Sequence, residues 1–253
     1  MKNPTAKKVL IVTGSSRGIG AATALLAAKQ GYAVCVNYRR NQAAADAIVQ
    51  SIQEMGGEAI ALSADVSLED EVVQLFEKVD DQLGRVTALV NNAGILEQQT
   101  KVENLSAARL HRVFSVNVIG SFLCAREAVK RMSTARGGAG GAIVNVSSGA
   151  ARLGSPNEYV DYAASKGAID TMTIGLAKEI ANEGIRVNAV RPGFIDTDIH
   201  ASGGEPGRIE RIKETIPMKR GGQPVEVAHA ILWLLSSEAS YSTGTILDVT
   251  GGK

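Results

Sequence analysis

The sequence has few of the residues that staple small or metal-bound proteins: 2 cysteines and 3 histidines in 253 residues. Cys35 and Cys124 cannot build a disulfide framework. Both stand in apolar surroundings, where a free thiol behaves as a small buried hydrophobe. His111, His200 and His229 are scattered, and no Cys/His pair has zinc spacing, so no metal site is expected. Charge of either sign is not in excess. With 27 Lys+Arg against 26 Asp+Glu the formal net charge is +1, which removes the electrostatic case for a nucleic-acid or membrane-surface protein. No apolar run reaches the ~18 residues of a membrane span. The start, Met1 to Lys8, is polar and too short for a signal peptide, so a cytoplasmic protein is the expectation. Nothing resembles a low-complexity linker or a repeat of about 20–50 residues. One domain over 1–253 is expected, with 1–7 as an N-terminal tail.

Glycine is what the chain has in excess, 27 residues or about 11% against a usual ~7%. The glycines punctuate an alternation of short apolar runs with helical patterns. The runs are Val9–Val12, Ala33–Val36, Ala59–Leu62, Ala88–Val90, Ala142–Val146, Ile185–Val190 and Thr245–Val249. Continuous apolar runs suit strands buried on both faces. Between them the period becomes helical: Val72, Phe76, Val79 and Leu83, then Ile169, Met172, Leu176 and Ile180, then Ala228, Ile231 and Leu235. This predicts a single-domain α/β fold, a doubly wound parallel sheet of about seven strands with helices on both faces. Gly137–Gly141 reads as a flexible connection, and Ser202–Gly207 as the hinge of a flap.

After the first run comes Thr13-Gly14-Ser15-Ser16-Arg17-Gly18-Ile19-Gly20 and then a helical stretch, Ala21–Lys29. Such glycines allow a tight turn and close approach of a pyrophosphate, which the unpaired N–H groups of the next helix attract. The spacing is G-x-x-x-G-x-G, not the commoner G-x-G-x-x-G. Further along stand Asn91-Asn92-Ala93-Gly94 after the fourth run, Asn117 in the next helical region, Ser147-Ser148 ending the fifth, Tyr162-Ala163-Ala164-Ser165-Lys166, and Arg191-Pro192-Gly193 ending the sixth. In that order these motifs resemble the short-chain dehydrogenase/reductase family, whose Rossmann-type fold and nicotinamide chemistry the chain is expected to share.

Tyr162 and Lys166 lie four apart, on one face of a helix. A free tyrosine has a pKa of about 10, and a nearby ammonium lowers it. The phenol then serves as general acid when a carbonyl is reduced and as base in reverse. A serine hydroxyl can hold the substrate oxygen. Ser147 and Ser148 compete, and adjacent strand residues face opposite ways. The family pattern selects Ser148, although its separation from Tyr162 is one residue longer than in many relatives. Tyr159 lacks a lysine partner, because position 163 is alanine. The resemblance gives Lys166 a second task, binding the nicotinamide ribose, and implies that Asn117 helps hold a water in a proton relay.

An acidic residue ending the second strand would favour NAD, and a basic one NADP. Here Asn37-Tyr38-Arg39-Arg40 contains no acid. NADP(H) is therefore favoured over NAD(H), with Arg39 the foremost contact, then Arg17 and Arg40. Asp65-Val66 resembles the family's adenine-contacting pair, while Asp65 or Ser67 would also serve as a helix N-cap. Gly14, Ser16, Gly18, Ile19, Gly20, Asn92, Ala93 and Gly94 complete the expected cofactor site on one side. Pro192, Gly193, Ile195 and Thr197 do so at the nicotinamide end. The segment at about 194–218 carries Ile199, Ile209, Ile212, Ile216 and Met218 among charges and reads as a substrate lid or as a surface helix. Within the family the chain is similar both to 3-oxoacyl-carrier-protein reductases and to sugar or polyol dehydrogenases. Glu183 opposes an acidic carrier protein. The substrate is expected to be a small carbonyl compound or alcohol, and a homotetramer, less often a dimer, is implied. A nucleotide-binding module that has lost catalysis remains the reading from a different class.

Overall fold

The computed structural model describes residues 7–253. The expected N-terminal tail lies outside the described residues except for Lys7, whose ammonium pairs with Glu58 at 2.8 Å. The first half alternates β1 (Lys8–Val12), α1 (Gly18–Lys29), β2 (Tyr32–Tyr38), α2 (Gln42–Glu54), β3 (Ala59–Ser63), α3 (Glu69–Gln82) and β4 (Ala88–Asn91). Then come α4 (Ala107–Phe114), a π-helical turn at Ser115–Ile119, α5 (Gly120–Met132) and β5 (Gly141–Val146). They are followed by α6 (Ala150–Leu153), α7 (Val160–Ile180), β6 (Ile185–Pro192), α8 (Ile199–Ser202), α9 (Arg208–Ile212), α10 (Pro224–Leu235) and β7 (Ile246–Val249).

The seven strands form one sheet in the order β3-β2-β1-β4-β5-β6-β7, every neighbouring pair parallel. All seven apolar runs are strands, and both faces of the sheet are covered. Along β1, Leu10 and Val12 join one cluster with Ala24 of α1, Ala45 of α2 and Ile231 of α10. Val9 and Ile11 point the other way, to Phe76 of α3, Cys124 and Met132 of α5 and Ile180 of α7. A strand facing apolar helices on both sides needs no polar alternation. Cys35 and Cys124 are buried in the second cluster, and burial pushes both thiols up, that of Cys124 to about 12. The strand order reverses between β1 and β4, and the carboxyl ends of the strands at such a switch point are where open α/β sheets bind ligands.

Two local readings change. The glycines at 137–141 form a tight turn. A Cβ at Gly138 would stand 2.3 Å from the Met132 carbonyl oxygen, and one at Gly140 (φ +81°) 2.5 Å from that of Gly184. Close backbone approach, not flexibility, demands glycine there. Neither Asp65 nor Ser67 caps α3, whose N-cap is Leu68. The Asp65 carboxylate instead accepts from the Ser67 amide and hydroxyl in a local turn. The acidic first turn Glu69-Asp70-Glu71 complements the helix dipole.

Candidate active site

A cavity of about 540 Å³ runs across the carboxyl ends of the central strands. At one end the glycine loop turns under it. Gly14 and Gly18 have φ of +61° and +57°, and a Cβ on Gly14 would meet Ala93 Cα at 3.0 Å. The loop is held from below. Thr13 Oγ1 accepts from the amides of Asn92 and Ala93, each at 3.0 Å. The Asn92 side chain donates to the carbonyls of Thr13 and Gly14. Asn37, buried in β2, accepts from the Gly14 amide at 3.1 Å and donates to the Ala64 carbonyl at 3.2 Å. α1 begins at Gly18 without a side-chain cap, so its first N–H groups are free for an anion.

Of the residues singled out in the sequence, Ser16, Arg17, Ile19, Arg39, Arg40, Val66, Gly94, Pro192, Gly193, Ile195 and Thr197 also line this cavity, as do Asp65, Ser148, Tyr162 and Lys166. Gly20 and Asn117 do not. A Cβ at Gly20 would lie 2.5 Å from Asn92 Nδ2 and 2.8 Å from the Gly14 carbonyl oxygen. Gly20 thus lets α1 pack against the loop and is not a cavity contact. Asn117 is wholly buried in the π-helical turn. Its Oδ1 accepts from the Ile95 amide at 2.8 Å, and its Nδ2 donates to the Ile95 carbonyl and the Ser165 hydroxyl. The Asn117 carbonyl accepts from Ser121. This residue fixes the wall behind Lys166 instead of facing the cavity. An extra residue in a helical turn is a recurrent device at functional sites.

Helix α7 carries Tyr162 and Lys166. Lys166 is buried, and its Nζ donates to the Val146 carbonyl at 2.7 Å and lies 5.7 Å from the Tyr162 ring centre. Burial pulls the ammonium down to about 8, with Asp170 one turn away drawing it back up. The Tyr162 phenol departs from the sequence expectation. Burial raises its pKa, a hydrogen bond with Ser148 works in the opposite direction, and Lys166 is not among the causes. The phenol therefore keeps its proton at neutral pH, the state a proton donor needs. Ser148 Oγ accepts from the Ala150 amide at 3.1 Å, whereas the Ser147 hydroxyl is engaged by the Lys166 carbonyl. Tyr159 is buried and donates to the Gly203 carbonyl at 3.0 Å, a structural task.

At the far end of β2, Arg39 Nε lies 2.7 Å from Asp65 Oδ2 with half of its side chain in solvent, and Arg40 is exposed. Arg17 reaches Asp198, just before α8, at 4.0 Å. The segment 194–218 carries two short helices, α8 and α9. Ile212 and Ile216 are buried, and Met218 faces solvent, contrary to its expected place on the apolar stripe. Glu183 accepts from the buried Ser133 hydroxyl, so its carboxylate is turned toward the protein rather than offered to a partner.

Sequence reasoning missed one clamp. Arg109 of α4 grips Asp161 with two hydrogen bonds, Nε to Oδ2 at 2.7 Å and Nη2 to Oδ1 at 3.1 Å, and gives Nη1 to the Gln98 carbonyl at 2.6 Å. Asp161 directly precedes Tyr162. No spacing rule joins residues 52 apart, so only the fold reveals the pair. Asn37 carried a faint signal, an amide directly after the apolar run Ala33–Val36.

Glycine loop, strand reversal and the Tyr162–Lys166 face together define a dinucleotide-binding oxidoreductase of the doubly wound class. Comparison with known proteins agrees. The family described as Enoyl-(Acyl carrier protein) reductase matches residues 14–253. The chain is 62% identical over 245 residues to the uncharacterized oxidoreductase YgfF of Escherichia coli, covering 97% of this chain and 99% of that one. It is 42% identical to a 3-oxoacyl-[acyl-carrier-protein] reductase of Synechocystis over 97% and 96% of the two chains. It is 40% identical to glucose 1-dehydrogenase 2 of Bacillus subtilis over 97% and 94%. Among solved structures, a dehydrogenase/reductase from Sinorhizobium meliloti superposes with a TM-score of 0.89 at 33% identity, covering 97% of this chain and 94% of that one. The chain belongs to the short-chain dehydrogenase/reductase family and is an NAD(P)-dependent oxidoreductase. Among the described residues no helix is long and apolar enough to cross a membrane, and no cluster of His, Cys, Asp and Glu is arranged to hold a metal.

Proposed function

We propose that the protein interconverts a small carbonyl compound and its alcohol with NADP(H), using Tyr162 as general acid and base. The observation that carries this is the convergence of Ser148, Tyr162 and Lys166 on one cavity whose floor is the Gly14–Gly18 turn. A dinucleotide fits what is present. Left-handed glycines leave room beside the loop, the uncapped start of α1 suits a pyrophosphate, and the half-exposed Arg39 just beyond β2, though paired with Asp65, supplies a cation suited to an adenosine 2′-phosphate. When bound, the nicotinamide supplies or takes the hydride. Ser148 holds the substrate oxygen, and Tyr162 gives it a proton from a phenol that burial keeps protonated. Lys166 holds the ribose. Asn117 keeps the Ile95 wall in place behind them.

The chain acts as a single domain with 194–218 as its substrate lid. The exposed Phe122 of α5 and Ile174 of α7 favour pairing through these helices into a dimer, and the edge strand β7 into a homotetramer. The free, buried thiols of Cys35 and Cys124 are compatible with work in the cytoplasm. The test is NADPH oxidation followed by absorbance against small ketones, aldehydes, sugars and 3-oxoacyl thioesters, with NADH alongside. Turnover with NADPH supports the reading, and its best substrate separates a carrier-protein reductase from a sugar or polyol dehydrogenase. A preference for NADH overturns the cofactor assignment. Tight NADPH binding without turnover on any member points to a non-catalytic nucleotide-binding protein.

A further inference from the structure

Helix α7 begins with little of its own to hold it. Its N-cap residue, Tyr159, gives the helix no side-chain hydrogen bond, its phenol being bound to Gly203. The chain enters through two non-glycine residues in the left-handed region, Ser155 (φ 43°) and Asn157 (φ 64°). Tyr162 is the third residue of this helix, where ends fray. Helix α4 begins differently. Ser106 caps it, its hydroxyl accepting from the Arg109 amide at 3.2 Å. The same Arg109 reaches across to α7. Its guanidinium binds both oxygens of Asp161, in the first turn of α7, and the Gln98 carbonyl. The Thr100 amide adds a bond to the Glu158 carbonyl at 3.0 Å. One turn further on, other groups anchor α7. The Ser165 hydroxyl accepts from Asn117 and donates to the Tyr162 carbonyl, and Lys166 Nζ holds the Val146 carbonyl.

A planar fork that makes two parallel bonds fixes direction as well as distance. Asp161 and Tyr162 share a peptide bond, so a two-point grip on the carboxylate sets the backbone from which the phenol leaves. Arg109 grips from a frame that also holds Gln98, in the segment whose Ile95 and Leu96 line the cavity. Ser148, after β5, and Lys166 of α7 face the phenol. Neither Arg109 nor Asp161 acts on its charge directly, since burial and Ser148 set its shift. We propose that Arg109 is a positioning residue for proton transfer, acting through Asp161 to keep the Tyr162 phenol beside Ser148 and out of water. The proposal rests on the reading of Tyr162 as general acid given above. A misplacement of about 1 Å at a reacting group costs up to ~10²-fold in rate. Loss of the grip therefore lowers turnover, while Lys166 keeps its own anchor on Val146.

The variant Arg109→Met/Asp161→Leu removes the grip without stranding a charge. In the full chain every tyrosine is replaced by 3-fluorotyrosine, whose phenol titrates lower than tyrosine's, and ¹⁹F NMR follows each signal with pH. Tyr162→Phe assigns the signal of residue 162, and the fully exposed Tyr241 gives the free value in the same spectrum. In the parent chain the signal of residue 162 titrates above that of Tyr241, because burial raises it. In the double variant it is expected to fall toward Tyr241, with NADPH affinity kept within about threefold. A pair that merely stabilises the fold leaves this titration in place. With the best carbonyl of the panel above, kcat is expected to fall about 10- to 100-fold at a KM within about twofold. Circular dichroism shows that the variant is folded. Should it not fold, Asp161→Asn, measured in the cold below its lowered melting point, loosens the same grip and carries the same titration. If no carbonyl is turned over, the ¹⁹F titration decides alone. A signal of residue 162 that titrates as in the parent, or a kcat within about twofold of it, overturns the positioning role. Near-normal turnover in Tyr162→Phe sinks the general-acid reading alone, because the ¹⁹F signal still reports whether the clamp holds the ring.

Discussion

Replacing Asp161 by Asn should destabilise the protein far more than a surface charge change. The Asp161 side chain is 1% exposed and that of Arg109 10%, so water screens the pair little. Asparagine keeps one oxygen for the guanidinium and turns an NH₂ group toward another N–H. It leaves a buried positive charge with two neutral oxygens, that of the asparagine and the Gln98 carbonyl, and no opposite charge. Breaking a buried pair in this way costs about 3–5 kcal/mol. For a chain of this size each kcal/mol moves Tm by roughly 2–4 °C, giving a fall of about 6–20 °C. Circular dichroism melts of Asp161→Asn and of the double variant Arg109→Met/Asp161→Leu provide the assay. The double variant removes both charges, leaves one carbonyl unpaired and should recover most of the loss. A drop below about 2 °C in Asp161→Asn, or a double variant worse than the single one, would refute the view that an uncompensated buried charge dominates.

Tyr162→Phe should lower kcat by about 10²–10⁴ with NADPH affinity unchanged, measured by steady-state kinetics and fluorescence titration; near-normal turnover removes Tyr162 as proton donor. Gly20→Ala places a methyl 2.5 Å from Asn92 Nδ2 and must shift α1 or the loop; overpacking of ~1–3 kcal/mol should weaken NADPH binding by about 5- to 150-fold. Arg39→Ala should cost NADPH about 10- to 100-fold in Kd while leaving NADH within about twofold, the loss of a charge-assisted hydrogen bond. Lys166 is held near 8 in the folded chain, below its unfolded value of 10.5. Between those values the unfolded chain binds the extra proton, so stability must rise with pH through that window. Urea melts at pH 7.5 and 9.5 should show a gain of up to about 2 kcal/mol that Lys166→Met lacks.

The fold was legible because its information is local. Runs such as Val9–Val12 and Ala142–Val146 suit only a strand covered on both sides, and stripes such as Val72–Phe76–Val79 suit only a helix with one buried face. The cavity residues were legible as motifs, since a glycine at φ +61° or a tyrosine one turn from a lysine is a requirement of spacing. What stayed hidden depends on contacts across the chain. Gly20 and Asn117 sit in the right motifs, but packing turns them away from the cavity. The Tyr162 phenol is raised because burial outweighs its neighbours, and burial has no sequence signature. Arg109 reaches Asp161 only after α4 and α7 have packed.

The two-way bond between Asn117 and Ile95 has an experimental use. A side-chain amide that accepts from a backbone N–H and donates to the same residue's carbonyl imitates a neighbouring strand, and it does so for a single residue of the segment after β4. The Ile95 amide proton should therefore exchange slowly with solvent while its unladdered neighbours exchange fast. Its exchange rate becomes a one-residue gauge of the cavity wall. A ligand that stiffens the wall would slow that exchange and one that pries it open would speed it, in the unmodified protein and without a label or a turnover assay.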